Sequence, residues 1–341
     1  MVARVHVRAK PEDALQRSAF ETDPQSTTPF EVVAEIGPAR LRRYEPEAES
    51  AARLPVLFVY SLFKRPYILD LDERRSVVKC FLQRGMRVYM MDWRAPGPGD
   101  CRRGLDSYLN EGLVRAVECV CEREQVTKVS LVGICLGGLL STLAAALHPD
   151  SVGHLVPVAA GLERCRMISP VVLEQLVRFY GNLPAWWIHN GVNANLPAAP
   201  LLPRYFAGEL DEPALAKPGS HGFELLNAKL ERWVNSDVPF PGQLALDIMR
   251  DAFWDGQLAD GRLRVGGERI ALKRIRCPVL NISGARDRLV PPENTARLTA
   301  CVGSSYARNL VFPSTHLGLL AGRAALEELW PRVCAWLKVI E

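Results

Sequence analysis

The sequence of 341 residues has no strong charge of one sign: 42 basic side chains stand against 38 acidic ones, a formal net charge of +4. No Lys/Arg cluster is interleaved with aromatics, so neither the balance nor the pattern points to nucleic acid. Residues 1–15 are charged throughout and carry no apolar stretch, so no secretory signal is expected. Internal repeats and low-complexity tracts are absent. The six histidines, His6, His148, His154, His189, His221 and His316, are scattered without metal-ligand spacing. One run without charge, Val129–Leu147, is nearly long enough for a membrane span. However, Gly133, Gly137 and Gly138 interrupt it, and a buried strand, a glycine turn and a buried helix fit it better. No transmembrane segment is expected.

What the chain does have is ordinary globular composition, 48% hydrophobic and 23% charged, with enough length to bury a large core. Its nine cysteines are odd in number and scattered from Cys80 to Cys334. That fits a disulfide framework poorly and suggests reduced thiols in a cytoplasmic protein. Most of them are expected to be small packing residues.

The spacing of apolar runs divides the chain. Residues 1–52 show no strong period and are expected to be partly helical or flexible. From residue 53 the character changes. Pro55–Tyr60, Arg87–Met91 and Val126–Val132 read as buried strands, separated by helical stretches at Arg74–Arg84 and Ser107–Arg123. Strand and helix alternating at this spacing predict right-handed βαβ units and a parallel sheet. Residues 161–270 lose that rhythm. They are rich in Pro and Trp, with helical patches at Pro170–Phe179, Phe223–Val234 and Gln243–Phe253, and read as a mainly helical cap. Strand signals resume at Pro278–Ser283 and Asn309–Phe312, and a last helix spans Ala324–Val339. The expected core is therefore residues 53–160 and 271–341, with the cap between them.

Between strand and helix stands Gly133-Ile134-Cys135-Leu136-Gly137-Gly138, a G-x-C-x-G-G sequence. This is the nucleophile-elbow pattern, with cysteine where hydrolases usually carry serine. A tight turn needs small neighbours, because a Cβ there would collide with the adjoining strand and helix. The turn also sets the side chain at a helix N-terminus, where N–H groups favour a thiolate and a developing oxyanion. The expected fold is therefore α/β, of the α/β-hydrolase type: a mostly parallel central sheet flanked by helices, with a cap insertion. An elbow nucleophile needs an acid and then a histidine later in the chain. Asp287, in a G-x-x-D-x-x-V-P turn after a late strand, and His316, in the loop into the last helices, occupy that order. For a second oxyanion donor beside the Leu136 N–H, the candidates are the N–H groups of Leu62 and Phe63, after the first core strand.

Several stretches resemble the polyhydroxyalkanoate (PHA) synthases, most closely the short catalytic subunit of the two-component class III enzymes. They are VYSLFKRPYILDL (59–71), RVYMMDW (87–93), LVGICLGG (131–138), GNLP (181–184), the LERW region (230–233), PVLNISGARDRLVPP and the HLG segment. The resemblance runs over most of residues 54–341 and implies a catalytic Cys135, Asp287 and His316. It implies an acyltransferase that polymerises 3-hydroxyacyl-CoA through an acyl-cysteine, with release of CoA and no further cofactor or metal. Its partners would be the growing polyester chain and a second synthase subunit or a homodimer, in the cytoplasm or at the surface of polyester granules. Three positions depart from the family pattern. Thr315 stands before the histidine where glycine is usual, Lys64 stands in the oxyanion-side loop where asparagine is usual, and Val158-Ala159-Ala160-Gly161 replaces a V-D-F stretch. Two other readings stay open: a cysteine thioesterase or esterase of the same fold, and a non-catalytic granule-associated paralogue. Trp186 and Trp187 in the cap fit either burial or display to a partner.

Overall fold

Short apolar strands with no polar face are stable only where both faces of their sheet are covered. The computed structural model, which describes residues 26–47, 53–163, 168–192, 208–210 and 221–340, uses them in that way. Eight strands form one sheet: β1 (Phe30–Ile36), β2 (Ala39–Tyr44), β3 (Val56–Val59), β4 (Val88–Trp93), β5 (Val129–Ile134), β6 (Val152–Val158), β7 (Val279–Gly284) and β8 (Ala307–Phe312). Their spatial order is β1-β2-β4-β3-β5-β6-β7-β8. From β4 to β8 every neighbouring pair is parallel, while β1 and β2 form an antiparallel hairpin on one edge. Every residue of β3, β4, β5 and β7 is buried.

Alternate residues serve opposite faces. Leu57 and Val59 belong to a core shared with the helices α2 (Arg115–Glu124) and α3 (Leu136–Leu147). Val56 and Phe58 belong to a second core, closed by α1 (Val77–Leu82) and the C-terminal helix Trp330–Val339. There Phe58 and Phe81 meet edge to face with centroids 5.0 Å apart, and the buried Trp330 donates its indole N–H to the Leu319 carbonyl at 2.9 Å. The indole's polar edge is thus satisfied within an apolar layer.

Between β6 and β7 the chain leaves the sheet and folds over its C-terminal edge. Among the described residues this part holds helices at Pro170–Tyr180, Ala185–Val192, His221–Val234, Gly242–Ala245 and Leu246–Trp254, followed by a two-stranded antiparallel ribbon of Arg264–Val265 and Glu268–Arg269. Leu183 and Phe240 clip it together through paired backbone hydrogen bonds of 2.8 and 2.9 Å. No helix of the described residues is long and apolar enough to cross a membrane.

The N-terminal region differs from the sequence expectation. Residues 30–44 are a β-hairpin, not a helix, while residues 1–25 and 48–52 lie outside the described residues. The physical reason is that two inward positions of β2 carry charge, which hides the period of two. Arg40 and Arg42 are buried and converge on the buried Asp92 of β4, at 2.6 and 2.5 Å. A shift of β2 by one residue would separate these ions, so they also fix its register. The turn at Gly37 has φ 52°, and a Cβ there would approach the Glu111 carbonyl to 2.9 Å.

A buried ion that loses its partner is strongly destabilising. Asp92→Asn should therefore lower unfolding stability by about 3 kcal/mol, read from the urea midpoint. A loss no larger than that of an exposed pair, under about 1 kcal/mol, would contradict this role for the ion cluster.

Candidate active site

The turn from β5 into α3 places Cys135 at φ 54° and ψ −121°, a conformation L side chains rarely adopt. Its neighbours hold it there. The Cys135 N–H donates to the Val158 carbonyl of β6 at 2.8 Å, and its own carbonyl accepts from the N–H groups of Gly138 and Leu139. A Cβ on Gly133 would lie 2.5 Å from the Ser141 hydroxyl and 2.6 Å from the Gly137 carbonyl. One on Gly137 would overlap the Val59 carbonyl. The glycines therefore let strand, turn and helix close on one another, and the thiol stands at the first turn of a helix of 12 residues. The first N–H groups of such a helix have no partner inside it and can serve an anion.

Asp287 and His316 come from the loops after β7 and β8, which lie side by side in the sheet. The Asp287 side chain is buried. One oxygen, Oδ1, accepts the backbone N–H groups of Leu289 and Val290 at 2.9 and 2.8 Å. The other, Oδ2, lies 2.7 Å from His316 Nδ1. Two backbone donors occupy Oδ1, so Oδ2 is the oxygen left to accept an Nδ1–H. Nε2 is then the nitrogen left to serve Cys135. Burial works to lower the His316 pKa but is outweighed by the Asp287 charge and hydrogen bond. Cys135 acts in the same direction, and the pKa is raised to about 10.

An apolar cavity of about 300 Å³ opens at Cys135. Phe63 and Leu136 line it, whereas the Leu62 side chain is buried in the core and is not part of the lining. Sequence reasoning missed the opposite wall, where the cap supplies Trp187, Ile188, Phe240, Ile248, Met249 and Phe253. These residues lie from about fifty to nearly 120 positions beyond Cys135, and only the helical spacing of the last three hinted at a common face. Phe240 meets the Phe63 ring at 5.8 Å, nearly edge to face. The tryptophan pair divides: Trp187 lines the cavity, and Trp186 is 55% exposed.

The other thiols are set apart by their surroundings. Burial pushes Cys119 and Cys121 up and Cys277 up to about 12, which keeps them protonated. Cys80 and Cys334 are buried together in the second core. Cys165 lies outside the described residues. Of the eight cysteines described, Cys135 alone lines this cavity. Among the described residues, no three His, Cys, Asp or Glu side chains converge as a metal site would require.

The model of the α/β-hydrolase fold family matches residues 55–322. A poly(3-hydroxyalkanoate) polymerase subunit PhaC of Thiocystis violacea is 30% identical, covering 96% of this chain and 92% of the relative. The subunit of that name from Allochromatium vinosum is 31% identical with the same coverage, and that of Haloarcula marismortui is 31% identical over 91% of this chain and 67% of its own. The chain belongs to the PhaC family. Among solved structures, a monoacylglycerol lipase of Paleococcus ferrophilus superposes with a TM-score of 0.57 at 20% identity, covering 88% of this chain and 99% of the lipase. Epoxide hydrolase A of Mycobacterium thermoresistibile does so with 0.55 at 18%, covering 92% and 99%. These likenesses concern the fold; in this PhaC-family chain Cys135 lines the cavity, and Asp287 and His316 are paired on the loops after β7 and β8.

The raised His316 pKa gives a test of the pair. The folded protein binds this proton more tightly than the unfolded chain. The resulting stabilisation is fully present below about pH 6.5 and is lost as the pH rises towards about 10. Asp287→Asn should flatten that slope in urea midpoints measured from pH 6 to pH 10. A variant curve parallel to the wild type would contradict the assignment.

Proposed function

We propose that this chain is the catalytic subunit of a poly(3-hydroxyalkanoate) synthase, which polymerises 3-hydroxyacyl-CoA through an acyl thioester on Cys135. The observation that carries the reading is Cys135 on the wall of an apolar cavity, supported by the Asp287–His316 pair on neighbouring loops, in a chain whose relatives are named as polymerase subunits.

In this reading His316 takes the Cys135 proton, and the Asp287 carboxylate stabilises the imidazolium and holds its orientation. The thiolate attacks the substrate carbonyl. The oxyanion that forms is received by the N–H of Leu136 and that of Leu62 or Phe63. Collapse breaks the bond to CoA, and the departing thiolate recovers the proton from His316. One thioester has replaced another at nearly equal free energy, so the acyl group stays activated, an advantage that a serine ester would forfeit. The hydroxyl of a second hydroxyacyl unit then attacks an acyl thioester, losing its proton to His316; the C–O ester bond forms, the C–S bond breaks, and the departing thiolate takes that proton from His316. Coenzyme A enters and leaves as part of the substrate. The polymerase relatives are named as subunits, and a second synthase subunit, a homodimer, and a place at the granule surface belong to the proposal.

The choice of nucleophile in the second step separates a synthase from a thioesterase. An apolar cavity favours transfer because it offers water few hydrogen-bonding sites. The test is to incubate the purified protein with 3-hydroxybutyryl-CoA, with and without the partner subunit, and to follow CoA release and products. Insoluble polyester is the expected product, and Cys135→Ala should lower CoA release by at least about a thousandfold. Soluble 3-hydroxybutyrate as the sole product would favour the thioesterase. No CoA release from folded protein would favour a non-catalytic paralogue.

A further inference from the structure

Two of the positions that depart from the PHA-synthase pattern, Lys64 and Thr315, flank the site, and both are buried. A buried ammonium is costly unless paired. Here the Lys64 Nζ donates to the Val234 carbonyl at 2.5 Å and to Asp237 Oδ2 at 3.0 Å, and lies 5.1 Å from the centre of the Trp233 ring. Burial lowers the Lys64 pKa, and Asp237 opposes that effect. The same carboxylate oxygen is 2.7 Å from His189 Nδ1 on the cap helix Ala185–Val192. Two more bonds join the same segments, from Trp233 Nε1 to the Arg65 carbonyl at 3.0 Å and from the Val238 N–H to the Phe63 carbonyl at 3.3 Å. The loop whose Phe63 lines the cavity is thus stitched to cap residues 233–238.

Thr315 makes the matching connection on the other side. Its hydroxyl donates to the Glu209 carbonyl of the cap at 2.7 Å and accepts the Gly318 N–H at 3.0 Å. A Cβ at Gly318 would lie 2.5 Å from that Glu209 carbonyl, so the close approach of cap and loop depends on glycine there. His316 is the next residue. The usual family residues, asparagine at 64 and glycine at 315, are respectively shorter than lysine and without a hydroxyl.

We propose that Lys64 and Thr315 are positioning residues that fasten the cap to the two loops flanking Cys135, and that this fastening keeps water from the acyl thioester. The inference rests on the acyl-Cys135 reading above. That thioester has two fates. An alcohol oxygen attacks the carbonyl, a C–O bond forms, the C–S bond breaks, and the proton lost by the alcohol passes through His316 to the thiolate. Attack by water follows the same course and yields free hydroxy acid. The two routes share the same donors and the same base, so solvent access decides between them.

The measurement is the ratio of free 3-hydroxybutyrate to polymer-bound units while the full-length protein turns over 3-hydroxybutyryl-CoA. This ratio does not depend on how much of a variant is folded. Lys64→Met and Thr315→Val should each raise it about tenfold, the worth of one hydrogen bond read as a rate ratio. Thr315→Ser, which keeps the hydroxyl, should stay close to the wild type. An unchanged ratio in Thr315→Val and Lys64→Met would overturn the inference and leave the synthase reading intact. A wild type that releases only free acid would instead overturn the synthase reading.

Discussion

The backbone of Cys135 is the constraint on which the rest of the site depends. Held at φ 54° by a hydrogen bond to β6 and by the close packing of Gly133 and Gly137 against neighbouring backbone, it turns a buried strand into a buried helix within one residue. Strain of this kind persists only where the surroundings over-determine it. Here the sheet supplies the surroundings: β3 lies on one side of β5 and β6 on the other. Once the thiol is fixed, the loops leaving β3, β7 and β8 at the same edge of the sheet have fixed distances from it.

Electrostatics then divides the labour. The Asp287 carboxylate is satisfied at one oxygen by two backbone N–H groups and spends the other on His316. The imidazole can thus carry a proton inside an apolar surround, although burial alone would expel it. The cap completes the design by covering the thiol with aromatic and aliphatic side chains, while a few buried polar bonds tie it to the catalytic loops. Apolar area gives the cap its hold. Directional bonds from Lys64 and Thr315 give it a register.

Much of this was legible in the sequence because the relevant signals are local. A parallel sheet covered on both faces needs uninterrupted apolar strands, and Val56–Val59 and Val129–Ile134 show them plainly. The elbow is legible because its glycines surround a single thiol, and Asp287 and His316 because both follow late strands. The hairpin at residues 30–44 was not legible. Its inward positions include Arg40 and Arg42, whose partner Asp92 lies about fifty residues away, so no alternation of apolar and polar residues announces a strand. The cavity wall escaped for a related reason, since Trp187, Phe240 and Met249 converge only after the cap has folded over the sheet. Lys64 and Thr315 were visible as departures from a pattern, but their meaning depends on a carboxylate and two carbonyls that only the fold brings within reach.

The account stands on Cys135 as the residue that becomes acylated. The most direct measurement is to mix the protein with 3-hydroxybutyryl-CoA, quench in acid within the first turnover, and weigh the peptide that contains Cys135. A mass increase of one hydroxyacyl unit on Cys135, lost on treatment with hydroxylamine and missing from Cys135→Ser, is the predicted result. Release of CoA in that first turnover with Cys135 unmodified, or with the acyl group on another side chain, would contradict it.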